Sequence, residues 1–473
     1  MYDRDANYVG GRWVPAATAE RIPVENPATE EVVATVPASG AADVDAAVAA
    51  ARAAFDDWAA TDPAVRLEYL SALRDGFAAR KQEVAALITT EMGAPARLAG
   101  GLQVDLPLRV LDTYLELLSK PVEPERLGNS VVLREPVGVV AAITPWNYPV
   151  HQSLLKIVPA LAAGCTVVHK PSEVAPLSAY LLAEIIHATG LPAGVYNLVC
   201  GTGPVAGEAL VTHPDVDMVS FTGSTRAGRR VAALAAETVK RVALELGGKS
   251  ANILLPDADH DVAVKVGVAN CYLNAGQTCT ALSRMLVHAS RLDEVVERAV
   301  AYAQRYVPGD PTDPQTRLGP LVSGAQRERV HDLLRRSIRE GATVATGGPD
   351  APGLPERGYY VAPTVLTGVT PDSVAAQEEF FGPVLSIIPY ADEDEAVRIA
   401  NNSRYGLAGA VWSADQDRAM AVARRLRTGQ VDINGAPFNP LAPFGGFKQS
   451  GYGREFGPYG LAEFQELKAV QLP

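Results

Sequence analysis

Apolar and polar positions along this chain fall into blocks whose period changes twice, and the blocks predict its architecture. Residues 8–40 carry short apolar runs broken by Gly10-Gly11 and Asn26-Pro27, the pattern of brief strands and turns. An alanine-rich stretch of helical period then runs from Asp43, read as its cap, to about Trp58. Asp62-Pro63 opens a second helix, with proline at the first position where its missing N–H costs nothing. That period holds to about Met92, and a further amphipathic segment spans 102–119.

From Ser130 the pattern becomes strand-like. After a short run at 130–134, apolar runs at 137–143, 165–169, 195–199, 218–221 and 242–246 alternate with helical segments at 152–163, 176–189, 204–212 and 225–236. Strands buried on both faces read as continuous Val/Ile/Leu runs, and helices between them imply right-handed crossovers in one parallel sheet. The expected class is therefore α/β, with a Rossmann-type doubly wound parallel sheet that binds ligands beyond its strand C-terminal ends. Past Lys249 the alternation restarts with strands at 251–255, 285–288, 384–389, 408–412 and 430–433. Helices at 292–305, 324–340, 393–401 and 414–427 accompany them, which predicts a second α/β domain. The tail Ala469-Val470-Gln471-Leu472 and the 130–134 run lie outside both sheets and suit pairing with another subunit.

Composition narrows the partners. The 473 residues are 48% apolar and 20% charged, as in a soluble protein with a large core, and the length suits about three domains. A net charge of -12 argues against nucleic acid or an anionic membrane as partner. The four cysteines, at 165, 200, 271 and 279, form no Cys-x-x-Cys pair and no zinc-like spacing, so no metal is expected. With no signal-type leader and no long apolar run, the expected location is the reducing cytoplasm.

One cysteine stands out. Cys279 sits between Thr278 and Thr280, just past Ala275-Gly276, and such a small polar collar leaves the sulfur reachable. It reads as a nucleophile, with an inert thiol as the alternative, because nothing local lowers its pKa. Residues at the strand ends complete a chemistry. Asn147, in Thr144-Pro145-Trp146-Asn147-Tyr148-Pro149, is a carboxamide in a proline-stiffened loop, suited to an oxyanion hole or simply to a turn. Lys170 and Glu173 end the second strand and could reach ribose hydroxyls. Gly203 and Gly207 are spaced one residue wider than the dinucleotide fingerprint. Ser224 reads first as a helix cap, at a helix N-terminus that also suits a pyrophosphate. Glu245, late in an apolar strand, is costly unless solvated or paired; water activation would justify it, and a salt bridge is the alternative. Glu379 and Phe381, in Glu378-Glu379-Phe380-Phe381-Gly382-Pro383, could bind a ribose and line a nicotinamide, or cap the next strand.

Together these stretches resemble the aldehyde dehydrogenase superfamily, of the hydrolytic, NAD(P)-dependent kind. Thr-Pro-Trp-Asn-Tyr-Pro, Lys-Pro-Ser-Glu, Phe-Thr-Gly-Ser-Thr, Leu-Glu-Leu-Gly-Gly-Lys, Gly-Gln-Thr-Cys, Glu-Glu-Phe-Phe-Gly-Pro and Pro-Phe-Gly-Gly-Phe-Lys occur in the family's order across nearly the whole chain. The resemblance implies Cys279 as nucleophile and Glu245 as general base, with Asn147 and the Cys279 N–H as oxyanion hole. It matches Lys156 to a lysine that supports Asn147 and proton movement. It assigns Ile143, Thr144, Pro145, Trp146, Lys170, Ser172, Glu173, Gly203, Gly207, Phe221, Gly223, Ser224, Leu246, Glu379 and Phe381 to the cofactor, NAD with NADP as the alternative. It assigns Trp146, Tyr148, Val150, Gln152, Thr278, Thr280, Phe438 and Phe444 to a substrate tunnel, whose aromatic and apolar set suits a medium-sized uncharged aldehyde. The implied partition is 1–118 with 137–248 for dinucleotide binding, 249–445 for catalysis, and 119–136 with 446–473 as a small β oligomerisation element. A homodimer or homotetramer is expected. A CoA-acylating semialdehyde dehydrogenase would generally lack Glu245. A non-catalytic protein on the same scaffold would not need the three groups retained.

Overall fold

The computed structural model describes residues 2–120 and 124–473, and its two large sheets face each other across a crevice. In the first, Arg241–Glu245, Met218–Thr222, Val139–Ile143, Thr166–Lys170 and Tyr196–Leu198 run parallel in that spatial order. Val139–Ile143, Thr166–Lys170 and Met218–Thr222 are buried along their whole length, as continuous apolar runs require beneath helices on both faces. The chain moves outward from Val139–Ile143 on one side, then returns to its other side with Met218–Thr222. That reversal is a switch point, where strand C-termini diverge and open a binding crevice.

Both edges of this sheet carry strands the sequence pattern did not predict as members. Ala6–Val9 and Arg12–Pro15 extend one edge antiparallel, and Gly451–Tyr452 closes the other with Gly451 opposite Glu245. A two-residue strand has no period to read. Asp43 also differs from expectation. The first helix begins at Ala41, capped at Gly40, and the Asp43 carboxylate reaches back to accept from the Gly40 and Ala17 amides.

The second sheet orders Thr343–Thr346, Thr364–Thr367, Val384–Tyr390, Arg284–His288, Ala251–Leu254, Gly409–Trp412 and Asp432–Ile433, parallel except for the first. A third sheet pairs Ser130–Pro136 with both Gln465–Gln471 and Glu125–Leu127. The tail and the 130–134 run, expected as separate pieces, are thus each other's partners. Gln465–Gln471 keeps one free edge, and Leu467, Val470 and Leu472 are exposed there.

Two local features aim the site. Helix Pro149–Ala163 is buried throughout, starts with proline at its first turn and stops at left-handed Gly164. Helix His260–Tyr272 gives way to Asn274, Ala275 and Gly276, all at positive φ (55°, 56° and 74°). Two of these are not glycine, so the turn persists only because its surroundings fix it. At Gly276 a Cβ would stand 2.1 Å from the Gly382 carbonyl. We expect Gly276→Ala to destabilise the protein by about 2 kcal/mol or more, because it combines strained φ with a backbone clash. Denaturant unfolding checks this, and a midpoint unchanged from wild type would contradict it.

Candidate active site

Two cavities meet at Cys279. One, of about 600 Å³, is lined from the first sheet by Pro145, Trp146, Asn147, Gly223, Ser224, Leu246 and Gly247, and from the facing domain by Glu379 and Phe381. The other, about 360 Å³, is a tunnel walled by Tyr148, Gln152, Thr278, Thr280, Phe438, Phe444 and Phe456, with Arg109 and Asp432 also on its lining. Cys279 and Gln152 belong to both.

The larger crevice has the chemistry of a dinucleotide site. Ser224 caps helix Thr225–Ala235, its hydroxyl accepting from the Ala227 amide at 3.2 Å. The first-turn amides, the helix dipole and the Arg226 and Arg229 side chains on the same lining favour an anion such as a pyrophosphate. Trp146 meets Phe381 edge-on, ring centroids 5.4 Å apart, deeper in the same crevice. Glu379 is engaged by the protein itself, accepting from the Gly248 amide at 2.9 Å. Gly248 lies so close to the turn that a Cβ would fall 2.4 Å from the Cys279 carbonyl, so no larger residue fits.

The other residues assigned to the cofactor stand beside the crevice rather than on its wall. Lys170 donates to the Pro171 and Gly201 carbonyls at 2.7 Å each and approaches Glu173 at 3.4 Å. Gly207 backs onto the Lys170 stem, and Gly203 begins the same short turn of helix. Ser172 accepts from the Val174 amide, and Thr144 bonds His169 and Ser153 in the core. Ile143 and Phe221 pack in the hydrophobic core between sheet and helices.

Two tunnel assignments need correction. Trp146 lines the crevice and not the tunnel. Val150 is fully buried in the core, and its neighbour His151 faces the tunnel instead. Consecutive residues on helix Pro149–Ala163 are turned by about 100°, so Val150 packs inward while the adjoining His151 meets the tunnel. Phe438, Phe444 and Phe456 pack edge-to-face, at 5.1–6.3 Å between centroids, as aromatic walls do.

Around the thiol a set of buried amides holds the geometry. Asn147 donates its side-chain amide to the Gln277 carbonyl at 3.0 Å. Asn274 donates to the Asn147 carbonyl at 2.9 Å, Gln103 reaches both asparagines, and Gln277 accepts from the Val322 amide. The sequence reading missed Gln103, Asn274 and Gln277, although the first two turn residues needed some such support.

Glu245 ends its strand 5% exposed, on the lining of neither cavity, with one carboxylate oxygen unpartnered among the described residues. Burial pushes its carboxyl well above the usual range; the charge of Glu455 adds to this, and Lys156 opposes it. Lys156 does not bond Asn147, as expected of it, but pairs with buried Glu455 at 2.6 Å. Glu455 was also missed. Its signal was Lys156 itself, since a lysine in an apolar helix demands a partner. Burial pushes the Cys279 thiol up to about 12, followed by the nearby charges of Glu245, Glu379 and Glu455. The resting cysteine is therefore a thiol, and its proton needs an acceptor.

Residues 13–470 match the family model described as the aldehyde dehydrogenase family. The chain belongs to the aldehyde dehydrogenase family. Within that family it is 51% identical to a 3-succinoylsemialdehyde-pyridine dehydrogenase of a Pseudomonas species, covering 99% of each chain. It is 44% identical to a geranial dehydrogenase of Castellaniella defragrans, again over 99% of each. Among solved structures it resembles a mutant of aldehyde dehydrogenase C from Pseudomonas syringae, complexed with NAD+ and octanal. That match has 48% identity and a TM-score of 0.98, and covers 99% of this chain and 96% of the other.

The raised carboxyl of this aldehyde dehydrogenase has a consequence for stability. The folded pKa of Glu245 lies above its unfolded value of about 4.3. Its contribution is thus greatest below pH ~4 and is lost as pH rises toward the folded value. We expect Glu245→Gln to grow more stable relative to wild type from pH 5 to pH 8, as wild type loses the contribution of its neutral carboxyl. Urea titrations at both pH values measure the difference; parallel pH profiles would contradict it.

Proposed function

We propose that this dehydrogenase oxidises a medium-sized uncharged aldehyde to its carboxylic acid with NAD, through an acyl-thioester on Cys279. The observation that carries the reading is the single thiol shared by a nucleotide-sized crevice and an aromatic tunnel. NAD, when bound in the crevice, supplies the hydride acceptor. The chain's own residues supply the rest. Cys279 loses its proton to water in the open crevice and attacks the carbonyl carbon as the thiolate, and the negative charge that develops on oxygen meets the second side-chain N–H of Asn147 and the Cys279 amide. One Asn147 N–H is already held by the Gln277 carbonyl, which fixes the direction of the other. Glu245, kept neutral at rest by burial, becomes the base that takes a proton from water when the thioester is hydrolysed. Lys156 and Glu455 sit beside it with opposed effects on its charge, and tune when it ionises.

The half-buried Glu173 next to Lys170 favours NAD, because its carboxylate suits ribose hydroxyls and repels a 2′-phosphate. Octanal and geranial, which appear with two of the relatives, are uncharged aldehydes of the size an aromatic tunnel accommodates. The free apolar edge of Gln465–Gln471 supports assembly as a homodimer or homotetramer.

Stopped-flow NADH absorbance tests the roles. Cys279→Ala should form no NADH, and substantial turnover would end the nucleophile assignment. Glu245→Gln should keep a first-turnover burst of one NADH per site while its steady state falls about 10²–10⁴-fold. A missing burst would place Glu245 before hydride transfer. With NAD the wild type should show at least tenfold higher kcat/KM than with NADP, a like-charge penalty of about 1.4 kcal/mol or more.

A further inference from the structure

The tunnel lining mixes apolar and polar residues, and several of the polar ones are bonded within the protein. The Tyr148 hydroxyl bonds Thr278 at 2.9 Å, and Gln430 donates to Asp432 at 2.9 Å. His151 and Gln152, consecutive on the first turn of Pro149–Ala163, differ. Both are about 6% exposed, both line the tunnel, and neither side chain has a hydrogen-bond partner among the described residues. In each, one atom is sealed from any open space: Nδ1 of His151 and Oε1 of Gln152. The atoms left to face the cavity are therefore His151 Nε2 and the Gln152 amide nitrogen.

Their protonation follows from cost. A sealed N–H without an acceptor is more expensive than a sealed lone pair, so the dry Nδ1 carries the lone pair and Nε2 carries the hydrogen. The ring is neutral at working pH, because burial followed by the charge of Lys156 pulls its pKa down to about 3. The same reasoning keeps the Gln152 oxygen inside and its NH₂ outward. Two N–H donors thus face the tunnel with no acceptor bonded to them among the described residues.

We infer that His151 and Gln152 form a donor pair that selects aldehydes carrying a hydrogen-bond acceptor, such as a ketone oxygen or ring nitrogen, away from the reacting carbonyl. The inference rests on the aldehyde oxidation proposed above and specifies its substrate class. Gln152 borders both cavities with Cys279, so it reads the chain near the thiol. His151 borders the tunnel alone, its ring 5.7 Å from that of Phe456, and reads farther out. An all-alkyl chain leaves both donors desolvated and unpaired, whereas an acceptor-bearing chain relieves them. Sites built to hydrogen-bond a substrate discriminate on this basis more sharply than apolar pockets do.

Steady-state kinetics with 4-oxononanal and nonanal, aldehydes of equal length, test the pair. Wild type should favour 4-oxononanal in kcat/KM by roughly tenfold or more, chiefly through KM. His151→Leu should abolish that preference, and Gln152→Leu should reduce it. His151→Asn, which retains a donor on a shorter side chain, should restore part of it, a rescue that a merely packing role would not produce. Equal losses on both aldehydes in His151→Leu, or no wild-type preference, would overturn the inference while leaving aldehyde oxidation intact. Should the Leu variant not fold, the Asn and Gln152 variants decide by the same ratio. Absence of NADH with both aldehydes in wild type would overturn the oxidation reading itself.

Discussion

The hydrogen bond from Asn274 to the Asn147 carbonyl is the joint on which the site depends. Asn147 lies in the loop that follows strand Val139–Ile143 of the first sheet, and Asn274 opens the left-handed turn that leads to Cys279. The bond therefore ties the loop bearing an amide donor to the segment bearing the thiol. Neither holds its shape alone: Asn274 and Ala275 occupy a conformation that costs of order 1 kcal/mol each for a non-glycine residue. Gln277 closes the loop, accepting from Asn147 and Val322 and donating back to Asn274. With all of these groups buried, loss of one partner strands another without water to replace it. A rigid amide frame of this kind lets a nucleophile and an oxyanion donor keep register across two domains.

Electrostatics adds a second constraint that works against stability. Glu245, Lys156 and Glu455 share a dry region, and Glu245 and Glu455 each retain a carboxylate oxygen with no partner. A pair of carboxylates around one ammonium is not the lowest-energy way to fill a core. Its product is a carboxyl held neutral at rest and able to ionise during turnover. Burial first, and then the acidic neighbours Glu245, Glu379 and Glu455, hold Cys279 as a thiol.

What the sequence revealed tracks how each feature is encoded. The five parallel strands were legible because burial on both faces writes an uninterrupted apolar run. Cys279, Asn147 and the glycine-rich strand ends were legible because each lies inside a short motif. Gly451–Tyr452 was not, since two residues carry no period, and the Thr343–Thr346 strand is half-exposed and threonine-rich. Glu455 escaped for a different reason. Its partner Lys156 is 299 positions away, and no local pattern encodes a pairing made by tertiary closure. The Val150 assignment rested on the resemblance, which carries a position within a motif but not the direction its side chain takes on helix Pro149–Ala163.

That exchange also changes the character of the tunnel. With Val150 on the wall, selection would rest on size and hydrophobicity, which separate neighbouring homologues by only about 1–3 kcal/mol per methylene. With His151 there, a neutral donor stands among Phe438, Phe444 and Phe456. Polar groups in such a setting are weakly solvated, so their hydrogen bonds count for more than at a wet surface. The crevice and the tunnel therefore read their ligands by opposite means. The first uses helix amides and arginines, which are sensitive to salt. The second presents the uncharged donors of His151 and Gln152 beside an aromatic wall, with Arg109 and Asp432 as its charged members. Cys279 is placed where the two meet, within reach of a ligand in either.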